Sequence, residues 1–329
     1  MKKNVFMLFL LFFCISVVHA EECSQCVVNK HGVEIPIAQY AALIEMGYSE
    51  EYLYNIPQDT YDTFGTIEKI DAVVSEKYYR ETFVVNGENK FTIIEEIKKF
   101  EYDAEIPINE RLIISNPRYS VNSSVSTSHE TTYKKLVASI IKTSVTEPNR
   151  RSIISSLDWK KVPSTRSFDI YASRVVGGVI VLNSQSGQMI QERYTFDENC
   201  GYNGHETTSY SVPYDVSGWN KLSSGLGYSG VGYTAKLDTS STVCVHDYGT
   251  FIAPITGYTS TLSYNATTTG NSNALTIYVS YQHAQSNVDF YDVYNSYTFS
   301  NNGLGNVIYF SNGTIRSKYD GMAGISLTY

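Results

Sequence analysis

From Thr131 to Tyr329 the chain never sustains the apolar period of a helix, and this limits its fold more than any motif does. Parallel strands need crossover connections of about a dozen residues, usually helical. Without crossovers, strands must pair antiparallel. The runs KKLVASIIKTS, RSIISSLDWKKV, SFDIYASRVVGGVIVLN, ETTSYSVPYDV, GYTAKLD, ALTIYVSYQH, DVYNSYTFS and NVIYFSNGTIRSKYD alternate partially and are divided by Pro, Gly, Asn and Ser, as short strands are. The fold expected is mainly β: an antiparallel β-sandwich, jelly-roll or immunoglobulin-like in general form, over residues 131–329, with a strongly curled barrel as the alternative. The 28 tyrosines against 2 tryptophans fit such sheets, because tyrosine packs its ring and keeps its hydroxyl wet.

A small α+β region precedes it. Residues 65–130 hold strand-like stretches at Tyr78 to Val85 and Lys90 to Ile94 around Asn86-Gly87, the strongest short hairpin signal. They end in the Ser/Thr/Asn-rich linker NPRYSVNSSVSTS. Residues 21–64 read as two short helices. Ile37, Tyr40, Ala41, Ile44 and Met46 form the stripe of the first, and Pro57 ends the second, over EEYLYNI. Helices this short must dock on something larger. Asn312-Gly313 is expected to turn a second hairpin.

Residues 1–20, MKKNVFMLFLLFFCISVVHA, have a basic start, an apolar run and a small residue at Ala20. That pattern marks a signal peptide, since the run is shorter than the roughly 20 residues of a membrane span. The expectation is a chain cleaved after Ala20 and then secreted or held at the cell surface. An uncleaved anchor is the alternative. Of 25 basic residues, Lys2 and Lys3 leave with the leader, so against 33 acidic residues the mature charge is about −10. Such a balance argues against nucleic acid, which demands a basic field.

Export lets disulfides persist. Of four mature cysteines, spacing favours Cys23-Cys26 and Cys200-Cys244. The second bond would bring DENCGYNGHE beside CVHD. That makes His205, Glu206, His246 and Asp247 a candidate acid-base cluster, and His205, His246 and Asp247 candidate metal ligands, because two imidazoles and a carboxylate are a catalytic zinc set. The plainer alternative is a stapled surface loop. Zinc is one cofactor reading; calcium at loop acids such as Asp289, Asp292 and Asp320 is another, and no spacing singles either out. GYSG lacks the G-x-S-x-G elbow of a hydrolase.

For ligand binding, Trp219 in a Gly-preceded loop and Tyr291 and Tyr297 in DFYDVYNSYTFS are the aromatic candidates. The function expected is a non-catalytic module binding an extracellular glycan or protein. A hydrolase at the His/acid cluster and a self-associating structural or assembly component are the alternatives.

Overall fold

The computed structural model of the protein describes residues 25–329, apart from 46–49, 57, 59–60, 63–70, 87–88, 105–112, 115–127, 143–146, 213–218, 225–226, 238–241, 247–248, 254, 270–273, 301–306 and 322. Strands β1 (Cys26–Val28) and β2 (Glu34–Pro36) precede helices Ile37–Glu45 and Glu50–Asn55. Next come β3 (Asp71–Asn86), β4 (Asn89–Ile97), the helix Lys99–Ala104, and β5 (Ile113–Ile114). Then follow β6 (Ser128–Lys142), β7 (Arg150–Lys161), β8 (Phe168–Val176), β9 (Gly178–Ile180), β10 (Ser186–Phe196), β11 (Tyr202–Val212), β12 (Trp219–Ser224) and β13 (Gly227–Lys236). The chain closes with β14 (Thr242–His246), β15 (Gly249–Ala253), β16 (Ile255–Thr268), β17 (Thr276–Gln282), the helix Phe290–Ser296, β18 (Tyr297–Phe299), β19 (Ile308–Phe310), the helix Gly313–Arg316 and β20 (Ala323–Thr328).

Among the described residues the protein is mainly β. A single 13-stranded antiparallel sheet runs β20-β17-β8-β13-β9-β16-β7-β6-β3-β4, with β10, β11 and β12 attached beside β16 and β13. The sheet curls until it is nearly a closed barrel. One curled sheet therefore stands where two packed sheets were expected. The physical reason is that β3 pairs with β6 along its length, so the α+β region supplies strands to the same sheet. Its far end, β20, folds back to pack on β3 and β6.

No backbone ladder joins β20 to β3 among the described residues. Side chains hold that seam. The Tyr79 hydroxyl donates to the Gly324 carbonyl at 2.5 Å and accepts from the Gly324 amide at 3.1 Å.

Alternation sorts residues to the two faces, because neighbours on a strand point opposite ways. The interior takes Tyr79, Leu136, Ala138, Ile140, Leu157, Trp159, Tyr171, Tyr233, Leu262, Val279, Tyr281 and Ile325, all buried. On the outer face Ile141, Ile154 and Ile190 meet Leu43 and Leu53 of the first two helices and Ile56 just after them. Elsewhere outside, Ile170 and Ala172 meet Val293, Phe299, Phe310 and Ile315 of the C-terminal segment. The helices dock as expected, although Leu43 rather than exposed Ile37 anchors the first.

Three local readings compare directly with the fold. Asn86 pairs with Asn89, so that hairpin forms. Asn312-Gly313 instead begins a helix, since the Asn312 side chain accepts from the Thr314 and Ile315 amides. A capping asparagine and a turn asparagine are the same residue in sequence. Likewise DVYNS is helical, with Asp289 capping it by accepting from the Tyr291 amide.

Tyr79→Phe removes both seam hydrogen bonds. It is expected to lower unfolding free energy by about 2 kcal/mol in urea titration and to speed amide exchange along β20. Unchanged exchange there would place the strength of the seam elsewhere.

Candidate functional site

At one end of the curled sheet, charged side chains replace the aliphatic ones found deeper in. Glu81 lies two residues from interior Tyr79, Lys134 two from Leu136, Asp169 two from Tyr171, and His283 two from Tyr281. Strand alternation therefore points all four inward. Asp320, just before β20, completes the layer from across the seam.

Lys134 is its centre. The Lys134 ammonium donates to Glu81 Oε2 at 2.6 Å and to Asp320 Oδ2 at 3.0 Å, and lies 4.8 Å from the Trp159 ring centroid. Asp320 Oδ1 accepts from the His283 amide at 2.9 Å. Beside it, the Asp169 carboxylate accepts from His283 Nδ1 at 3.0 Å, from the Ala284 amide at 2.9 Å and from the Tyr281 hydroxyl. Trp159 Nε1 donates to that same hydroxyl at 3.3 Å.

Burial and charge set the titration of this layer. Burial opposes the Lys134 ammonium, but Asp320 and Glu81 outweigh it and raise its pKa. Burial also favours a neutral Glu81, yet Lys134 and then His283 hold its carboxyl down to about 2. For Asp320 burial wins, reinforced by the Glu81 carboxylate, and its pKa rises to about 8. His283 is raised as well: Asp169, Glu81 and Asp320 overcome its desolvation.

Above this layer the interior opens into a mouth. A chamber of about 480 Å³ is lined by Phe83, Thr92, Gln285, Ser286, Arg316 and Ser317, with Asp320 in its floor. A smaller recess of about 10 Å³ lies against Glu81, Thr132, Ser164 and His283, sharing Phe83 and Gln285 with the chamber. Gln285 ties the two sides of the seam: its amide donates to Glu81 Oε1 at 2.6 Å, while its oxygen accepts from Thr92 Oγ1 at 2.8 Å. The Arg316 guanidinium donates to the Tyr319 and Asp320 carbonyls and so shapes the chamber wall.

The residues singled out from sequence lie elsewhere. Cys200 and Cys244 are bonded, with α-carbons 5.5 Å apart, which ties the β10–β11 turn to β14. Cys26 is disulfide-bonded; Cys23 lies outside the described residues. Asp197 folds the turn onto itself, accepting from the Asn199 amide at 2.8 Å and the Gly201 amide at 2.7 Å. His205 and Glu206 face Tyr194 and Arg193 in register, and His246 faces Gly249. The side chains of all three, and all of Asp247, lie outside the described residues. Among the described residues no group of three or more His, Cys, Asp or Glu is placed to hold a metal.

The aromatic expectations need correction. Trp219 is only 5% exposed, held in the core against the Tyr233 ring at 5.4 Å. Tyr297 is equally buried, paired with Phe310 across β18 and β19. Tyr291 is exposed, but on a helix beside Phe290 rather than in a strand row. The glycines of GYSGVG serve close packing, since a Cβ at Gly230 would lie 2.6 Å from the Phe299 ring.

No family model matches the chain. No curated protein matches it either. Among solved structures, one titled "Pore forming protein" aligns at a TM-score of 0.21 and 10% identity, covering 60% of this chain and 85% of that one. The Clostridium perfringens NetB toxin in its membrane-inserted form aligns at 0.20 and 8%, covering 60% and 89%. Likeness at this level establishes neither a shared fold nor a shared activity. Among the described residues no helix is long and apolar enough to cross a membrane, which says nothing of spans made by strands.

Linkage gives the layer a measurable signature. Stability from His283 and Asp320 is full below their unfolded values, about 6.5 and 3.9, and is lost as pH rises through their folded ones, about 8 for Asp320. Glu81 acts oppositely, contributing above about 4.3 and losing its share as pH falls toward about 2. The melting temperature is therefore expected to fall between about pH 5 and pH 9, and to fall less in Asp320→Asn. Equal slopes would remove Asp320 as a cause.

Proposed function

We propose that this chain is a secreted or cell-surface binding protein without catalytic machinery, whose ligand is a saccharide held in the chamber at the mouth of the curled sheet. The chamber carries the reading. Its volume of about 480 Å³ suits a small ligand, and barrel mouths are a recurrent place for such sites. Phe83 and Tyr319 supply ring surface, while Thr92, Ser286, Gln285 and Ser317 supply hydroxyl and amide groups. Rings under C–H faces and hydrogen bonds to a polar rim are what a sugar needs. The leader-like terminus and the Cys200–Cys244 bond support an extracellular setting.

The buried His283–Asp169 pair supports a structural role rather than catalysis. His283 is 1% exposed and its Nδ1 is held by the Asp169 carboxylate, which fixes the ring as part of the buried layer. A hydrolase built on His205, Glu206, His246 and Asp247 stays an alternative proposal.

The test is calorimetric titration of the mature chain with neutral monosaccharides. Ser317→Trp, which fills the chamber from an exposed position, is expected to abolish binding and leave the melting temperature unchanged. Retained binding would move the site elsewhere.

Strand length favours a second reading, in which copies assemble edge to edge and insert into a bilayer. β3, β6 and β16 have 16, 15 and 14 residues, beyond the roughly 9–11 of a tilted membrane strand. Among the described residues β4 and β11 each pair on one side only, and open edges invite association. Dye release from phosphatidylcholine vesicles at micromolar protein is the measurement; vesicles that stay sealed would dismiss this reading.

A further inference from the structure

Below the chamber, the recess has its own composition and its own unmet need. Its volume of about 10 Å³ admits a single water-sized group. Thr132 sits directly opposite Glu81 in the β3–β6 register and is 4% exposed, and its Oγ1 has no hydrogen-bond partner. A buried hydroxyl without a partner costs stability. Isosteric valine would avoid that cost on a strand face. A cost maintained in the wall of a recess that adjoins a chamber marks a place where something else supplies the partner.

The surroundings select the chemistry of that group. An anion would meet the Glu81 carboxylate, and a cation would meet His283 in the wall and the Lys134 ammonium 2.6 Å behind Glu81. An apolar group would leave Thr132 unpaired. A neutral hydroxyl avoids all three faults, because it donates and accepts. It can accept from Thr132 Oγ1 and donate toward Glu81, whose two oxygens already take Lys134 and Gln285 but retain further lone pairs.

We infer that the recess is a specificity subsite that takes one hydroxyl of the saccharide bound in the chamber, with Thr132 Oγ1 as its hydrogen-bond partner. The inference rests on the chamber being the ligand site. It assigns Thr132 a role in choosing between sugars that differ at one position. Sugars presenting that hydroxyl bind; those lacking it fit the chamber but leave the threonine unpaired, and such sites discriminate strongly.

The experiment uses the mature chain and calorimetry with glucose, galactose and mannose and their monodeoxy analogues. At least one sugar is expected to bind, with one monodeoxy analogue about tenfold weaker, a difference of about 1.4 kcal/mol. Thr132→Val should weaken the parent sugar by the same factor and leave that analogue unchanged. Equal loss for both sugars, or no loss for either, overturns the subsite and leaves the chamber standing. Retained binding in Ser317→Trp overturns the chamber, and no binding by any sugar at millimolar concentration overturns both. Thr132→Val should melt no lower than the parent protein; a lower melting temperature would show that the hydroxyl is satisfied within the fold, and would also overturn the subsite.

Discussion

Much of this architecture depends on one ammonium group removed from water. Lys134 is fully buried, and an unpaired buried charge costs several kcal/mol. Its two carboxylate partners come from different parts of the chain: Glu81 from the strand beside it, Asp320 from the segment leading into β20. The lysine is satisfied only when the far end of the sheet has folded back. Curling is thus coupled to satisfying the hydrogen bonds of a buried ammonium, which Glu81 alone does not complete. A wholly apolar layer would be indifferent to which strand closed over it. A lysine needing two acids at about 3 Å specifies the partner, and this geometry selects β20.

The same layer explains why the sheet has a mouth at this end. Deeper in, Trp159, Tyr171, Tyr281 and Tyr233 fill the interior, with rings about 6 Å apart in edge-to-face contacts. The outer faces are covered by the first two helices and by the C-terminal segment. Charged groups cannot be sealed under aliphatic side chains without a large desolvation cost. A polar chamber with Thr92, Gln285 and Ser317 around it meets that requirement. Fold closure and the open chamber are therefore two results of one choice of side chains.

How much of this was legible in the sequence depends on the range of each interaction. The antiparallel β character, the Asn86 hairpin and the Cys200–Cys244 bond follow from local pattern and spacing, and they appear as expected. The curl was less legible, since alternation says which residues share a face but not whether the face closes on itself. In KKLVASIIK, Lys134 keeps phase with Leu136, Ala138 and Ile140; in YVSYQH, His283 keeps phase with Val279 and Tyr281. That in-phase charge was the available signal for the layer. Trp219 misled because Gly218 precedes it, whereas its slot is made by distant Gly187, where a Cβ would lie 3.1 Å from the indole.

The contact between Tyr79 and Gly324 spans 245 residues, and that span dictates an order of events. Loop closure over such a distance is entropically slow, and contacts of high sequence separation retard folding. A ribosome releases β3 and β6 long before it has made Asp320 or β20. Until then Lys134 lacks the acceptor that Asp320 supplies in the folded chain. The residues from Asp320 to Thr328 thus act as the latch of the sheet. Truncation near the C-terminus would therefore damage the beginning of the protein as much as its end.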